Sequence, residues 1–220
     1  MAARIVRANY GGAATVALIE AVAEAKGGDP LAPVSIVVTD HGQGIRLRRR
    51  LAAGSAGTPL SGVAAIDMVT LLDLARDLTA GAPQLEGRRP VSDAVVLSAT
   101  RRILREEPGV FGSVAEHPAL ERALVSAHRQ LREVHADGIE RLAGLGKLQA
   151  ALVKVHRALL RHLVPGFHDE RERADLATLR VGSGTASIPP LVVHLPGHLL
   201  PSERRLLAAL ADAVPLTVIC

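Results

Sequence analysis

"RIVRANYGGAATVALIEAV", Arg4 to Val22, joins a short apolar run to a helical pattern through a pair of glycines. Ala3 to Val6 can form a brief strand, Gly11 and Gly12 break the chain, and Val16, Ile19, Val22 and Ala23 then recur at the spacing of one helix face. A strand feeding a helix through a glycine turn is the opening unit of an α/β fold. It is also the frame on which phosphate loops are built, so the rest of the chain has to decide between a plain turn and a ligand site.

The following segments repeat the alternation. "VSIVVTD", Val34 to Asp40, is an uninterrupted β-branched run bounded by Pro33 and His41-Gly42, which predicts a buried parallel strand. "GIRLRRRLA" begins a helix, Val63 to Ile66 supplies a short strand, and a helix is expected from about Asp67 to Leu78. Near the other end, "LVVHLP" reads as a strand, "PSERRLLAALADA" as a helix with Ser202 as N-cap, and "VPLTVIC" as a closing strand. The pattern predicts a parallel sheet sandwiched by helices. A chain stopping on a buried strand is also expected to be a segment of a longer protein.

The middle lacks this alternation and reads as helices from Ser92 to Leu163. Leu120, Leu124, Ala127, Leu131 and Val134 form one apolar series, and Ile139, Leu142, Leu145, Leu148, Leu152, Val155, Leu159 and Leu163 form a second. They predict an antiparallel hairpin turning near Gly138. Residues 1–91 and 181–220 are therefore assigned to an α/β domain and 92–180 to a helical insertion, with Val181 to Pro190 as an aperiodic loop.

Composition narrows the classes of function. The chain has 220 residues, 48% hydrophobic and 22% charged, as a globular protein requires. Aromatics make up 1%, represented by Tyr10, Phe111 and Phe167, which disfavours a base-stacking platform for single-stranded nucleic acid. A net charge of +4 is compatible with nucleic acid without requiring it. Cys220 is the single cysteine, so no disulfide framework or thiolate cluster exists, and a reducing cytoplasm is the expected location. No export signal or membrane span is legible.

Fitting a phosphate-loop pattern places Thr15 at its Ser/Thr position, Ala14 at its lysine, and Ala13 and Ala8 at its outer glycines. Gly11, Gly12 and Thr15 survive, which fits either a glycine turn or a lapsed phosphate loop. Arg46, Arg48, Arg49 and Arg50 lie on the helix after the second strand, as DNA-phosphate contacts or as a solvated face. His194 and His198 are separated by Pro196 and Gly197, so they do not share a helical face as a metal pair would. His128, His135, His156 and His162 are expected as partly exposed polar positions, and Asp40 as a turn cap. "AGSAG", Ala53 to Gly57, lacks the first glycine of a nucleophile elbow. No catalytic group and no metal site emerge.

The whole order of elements resembles the N-terminal region of the AddB/RexB family, the B subunits of RecBCD-type helicase–nucleases. The resemblance rests on "SIVVTDHGQGIRLRRRLA", on "GVAAIDMVTLLDLARDL", on the helical stretch beginning "VSDAVVLSATRRILREE", and most specifically on "LVVHLPGHLLPSERRLLAALADAVPLTVIC", with Pro201 at a helix start and Leu206, Leu207 and Leu210 within it. It implies a P-loop NTPase-like, superfamily 1 helicase-like sheet, DNA and a helicase–nuclease subunit as partners, and a role at DNA ends in double-strand break repair and recombination. It also implies a PD-(D/E)XK nuclease domain far beyond these residues. The family's ATP and Mg²⁺ lose their residues here: the lysine position is Ala14, and the acidic position aligned on Pro201 is His194, a poor ligand for hard Mg²⁺. The resemblance therefore implies a helicase fold without ATP hydrolysis and with no cofactor. Two other classes stay open: a nucleotide-binding enzyme with an atypical phosphate loop, and a ligand-free interaction module.

Overall fold

The computed structural model describes residues 3–53, 64–184 and 187–220. In chain order the regular elements begin with strand β1 (Arg4–Val6), helix α1 (Gly12–Lys26), strand β2 (Val34–Val37), helix α2 (His41–Ala53), strand β3 (Ile66–Val69) and helix α3 (Leu71–Leu78). They continue with β4 (Arg89–Pro90), α4 (Asp93–Glu106), α5 (Pro118–Arg132), α6 (Ala136–Ala143), α7 (Lys147–Leu163) and β5 (Phe167–His168). The last are α8 (Glu170–Gly182), β6 (Leu191–His194), α9 (Pro201–Ala213) and β7 (Leu216–Ile219).

The chain divides into two compact units, one running to Ala80 and resuming from Arg173 to Cys220, the other Gly81–Glu172. The first is a five-stranded sheet in the order β1-β7-β6-β2-β3, with every neighbouring pair parallel. Because successive side chains alternate across a strand, each buried strand feeds two cores. On one face Val192, Ile36 and Ile219 pack with Ala14, Leu18 and Val22 of α1 and Leu47 and Leu51 of α2. On the other, Leu191, Val193 and Val37 pack with Leu74 and Ala75 of α3, Ala177 and Val181 of α8, and Leu206 and Leu210 of α9. The fold class is thus α/β, a parallel sheet between two helical layers.

Lys26 closes the end of α1 with an unusual device for a buried residue. Its ammonium donates to the carbonyls of Pro30, Ala32 and Ala64 at 2.8, 2.7 and 2.9 Å, using all three donors. At 6% exposure it ties the loop before β2 to the one before β3.

The second unit packs Val96, Ala99 and Leu104 of α4 against Leu124 and Val125 of α5 and Val155, Leu159 and Leu163 of α7, around Phe111. A smaller cluster of Leu131, Ile139 and Val153 joins α5, α6 and α7. β4 and β5 form a two-residue parallel ladder, with the Arg89 guanidinium over the Phe167 ring.

Several expectations are corrected. The strand expected at Val63 to Ile66 runs from Ile66 to Val69, where a Thr70–Asp73 capping box starts α3 at Leu71. Val63 itself is outside the described residues. The predicted hairpin does not turn at Gly138, which lies inside α6; the breaks fall between Arg132 and Ala136 and between Ala143 and Lys147, so three helices replace two. Ser202 is not the N-cap of α9: Pro201 occupies the first turn, Glu203 accepts the Leu200 N–H at 2.8 Å, and Ser202 is buried in the helix. The insertion expected at 92–180 is shifted, because Gly81 to Val91 belong to the helical unit while most of α8 packs on the sheet. Among the described residues no helix is long and apolar enough to cross a membrane.

Candidate functional site

In a parallel sheet all strands end on one edge, so the turn after β1 and the end of β6 lie on the same side of the sheet. Only β7 separates these two strands, placing them about 10 Å apart. Three elements bring side chains to this edge.

The first is the glycine turn. Gly11 adopts φ 97°, the left-handed half of the map that favours glycine, and α1 begins directly after it. That helix has no side-chain cap and no acidic residue in its first turn. Among the described residues a Cβ on Gly11 or Gly12 would meet nothing within 4 Å, and the Ala14 N–H donates to the Asn9 carbonyl at 3.1 Å. Thr15 donates its hydroxyl to the Gly11 carbonyl at 3.1 Å. Ala14, at the expected lysine position, is 0% exposed and belongs to the sheet core.

The second element is α2, started by Asp40, whose carboxylate accepts the Gln43 N–H at 2.8 Å. That bond, helped by Thr39 and Arg46, holds Asp40 below the usual carboxylate range. The cap expected at Asp40 is therefore present, at the start of a helix that includes His41 and Gly42 rather than at a turn. Leu47 and Leu51 point inward, while the four arginines are exposed and diverge. Arg46 lies near Asp40, and Arg48 reaches back to the Ile66 carbonyl at 3.2 Å. Arg50 donates to the Thr15 hydroxyl at 3.2 Å, which links α2 to the glycine turn.

The third is His194 at the end of β6. Alternation along the strand puts it on the face of Val192, under α1 and α2. It is 4% exposed, and neither ring nitrogen has a hydrogen-bond partner. Burial, reinforced by the Arg50 charge, depresses its pKa below the usual imidazole value, so the ring is neutral near pH 7.

The sequence-selected Gly11, Thr15 and Arg50 are thus joined by hydrogen bonds, with His194 buried on the same sheet face, whereas Arg46, Arg48 and Arg49 do not join them. No sequence signal pairs Arg50 with Thr15, because they lie 35 residues apart. His198 is exposed on the loop after β6, and no group of three His, Cys, Asp or Glu among the described residues is arranged to hold a metal. The "AGSAG" segment beyond Ala53 is outside the described residues.

No protein-family model matches the chain, and no curated protein matches it. The functional reading therefore rests on this sheet edge and on the sequence resemblance.

A second polar cluster lies inside the helical unit. His128 of α5 and His156 of α7, expected to be partly exposed, are instead buried, with their Nδ1 atoms 3.1 Å apart. One ring must donate and the other accept, so the contact requires at least one neutral ring. Burial pushes His128 down to about 4, with Arg132 adding to the shift and Asp169 opposing it. Burial also takes His156 to about 4, followed by His128, Arg132, Arg157 and Arg171. Arg132 bonds both oxygens of Asp169 beside them.

Proposed function

We propose that this chain is the helicase-like front unit of an AddB/RexB-type helicase–nuclease subunit, with a P-loop-like sheet that does not hydrolyse ATP and that works on DNA ends with a partner subunit. The observation carrying this reading is the sheet edge. Its glycine turn and Thr15 keep the frame of a phosphate loop, the lysine position is a core methyl, and the acidic position opposite is a buried neutral imidazole. Such an edge has no lysine at the phosphate-loop position to stabilise a transferring phosphoryl group and no carboxylate at the His194 position to hold Mg²⁺. The exposed Arg46 and Arg49 supply phosphate contacts on α2, positioning DNA without reading its sequence.

Two measurements test the reading. Calorimetric titration with Mg-ATP is expected to give no turnover heat. Duplex-end binding should weaken with salt, and Arg46→Ala with Arg49→Ala should lower the slope of log K against log salt by about 2. ATP hydrolysis, or DNA affinity that the double variant leaves unchanged, would sink it.

A further inference from the structure

β2, β3 and β6 begin side by side at the sheet edge opposite the glycine turn, and a cavity of about 670 Å³ opens there on the α3 side. Strand register sets its floor. Ser35 stands between Asp67 of β3 and Leu191 of β6, and the three share a face because paired residues of parallel strands point the same way. Leu74, Asp77 and Leu78 of α3 form one wall, and Ile188 before β6 forms another. The volume is that of a small-molecule site.

Three groups in this cavity are incomplete. Ser35 is 7% exposed in a strand whose other positions are apolar, and among the described residues its hydroxyl has no hydrogen-bond partner. The hydroxyl is not sealed: among the described residues the polar side-chain atoms that are both unpartnered and closed to solvent are Arg88 Nε and the two His194 nitrogens. The Ser35 oxygen therefore opens into the cavity. Asp67 and Asp77 are exposed carboxylates, and among the described residues neither has an ion pair or a side-chain hydrogen bond. Asp77 also occupies the last turn of α3, where the helix dipole is negative and calls for a cation. The nearby guanidinium groups are directed elsewhere. Arg48, on the cavity rim, donates to the Ile66 carbonyl at 3.2 Å, Arg76 pairs with Asp73 at 2.9 Å, and Arg180 donates to the Ala80 carbonyl at 3.3 Å.

We propose that this cavity binds a small aliphatic diamine. An ammonium group has three donors and no acceptor, which matches two carboxylates and a hydroxyl oxygen. The two ammonium groups pair with Asp67 and Asp77, one of them also donates to Ser35 Oγ, and the methylenes between them lie on Leu74, Leu78 and Ile188. An anion is repelled by both carboxylates. A divalent metal lacks its ligand set, since among the described residues no three His, Cys, Asp or Glu come together. The site is independent of the phosphate-loop reading, which concerns the other edge of the sheet.

The test titrates the whole chain with 1,4-diaminobutane near neutral pH, in an amine-free buffer at ionic strength matched by sodium chloride, and follows backbone amides by ¹H–¹⁵N spectra. Saturable shifts are expected around Ser35, Asp67, Asp77 and Ile188, with a millimolar or tighter midpoint. Asp67→Asn and Asp77→Asn alter exposed side chains and so should fold; each should weaken binding about fivefold, and Ser35→Ala about threefold. n-Butylamine, with one ammonium group, should bind about fivefold more weakly than the diamine. Shifts that do not saturate or are spread over the surface, or a midpoint unchanged in the Asp67→Asn, Asp77→Asn double variant, overturn the site. Equal affinity for n-butylamine overturns the assignment to a diamine, and displacement of the diamine by equimolar Mg²⁺ at the same ionic strength replaces it with a metal site.

Discussion

Acidifying the solution from about pH 7.5 to about pH 5 will destabilise the helical unit by about 4 kcal/mol, through His128 and His156. Burial pushes each ring down to about 4 in the folded protein, against an ordinary imidazole pKa of about 6.5. At about pH 5 an unfolded imidazole is almost fully protonated and the folded one largely neutral, so unfolding takes up nearly one proton per ring. The unfolded chain binds more protons, and stability therefore falls as pH falls. The loss begins near 6.5 and is complete below about 4. Integration over the interval gives about 2 kcal/mol per ring. The physical origin is that the closed α5–α7 contact excludes water from both rings; a proton on His128 also meets the charge of Arg132, and one on His156 meets those of His128, Arg132, Arg157 and Arg171. Hydrogen exchange of the α5 and α7 amides, corrected for intrinsic rates, reads this unit separately from the sheet unit, where His194 titrates in the same direction. Replacing both rings, His128→Leu with His156→Leu, should flatten the profile between about pH 6.5 and 5. Exchange free energies that change by less than about 1 kcal/mol in the parent, or the same slope in the double variant, would refute the reasoning.

Other perturbations probe the sheet unit. Lys26→Met should cost about 3 kcal/mol in urea unfolding, because it leaves the Pro30, Ala32 and Ala64 carbonyls without their donor; a loss below about 1 kcal/mol would contradict that. Ala14→Lys should not create ATPase activity and should destabilise by several kcal/mol, since it forces an ammonium into a site with 0% exposure; a stable variant that hydrolyses ATP would disprove the closed-site account. Thr70→Ala removes the hydroxyl that accepts the Asp73 N–H at 3.1 Å and should cost about 1 kcal/mol, seen as a lower melting temperature; an unchanged melt would argue against the capping box.

Where prediction succeeded, the signal was local. Val34 to Val38 and Leu191 to Val193 are buried on both faces, so their unbroken apolar runs announce central parallel strands. β3 misled because it is an edge strand: its polar Asp67 is exposed, and that residue reads equally well as a helix start. The Gly138 turn misled for a related reason, since a single glycine costs a helix only about 1 kcal/mol and contacts of Ile139 with Leu131 and Val153 outweigh it.

The candidate site divides in the same way. Gly11, Gly12, Thr15 and the substitutions at Ala14 and His194 are visible in the sequence because a strand–turn–helix unit fixes their spacing. That Arg50 bonds Thr15, and that His194 is buried on the same sheet face, follows only from the packing of α1 and α2 there. The His128–His156 contact spans 28 residues and two helices, and the Lys26 knot reaches 38 residues to Ala64. Periodicity along a chain specifies which face of each element is apolar, and so determined an α/β sheet with helical layers. Which polar groups meet depends on how those faces stack, information that is carried by the tertiary structure alone.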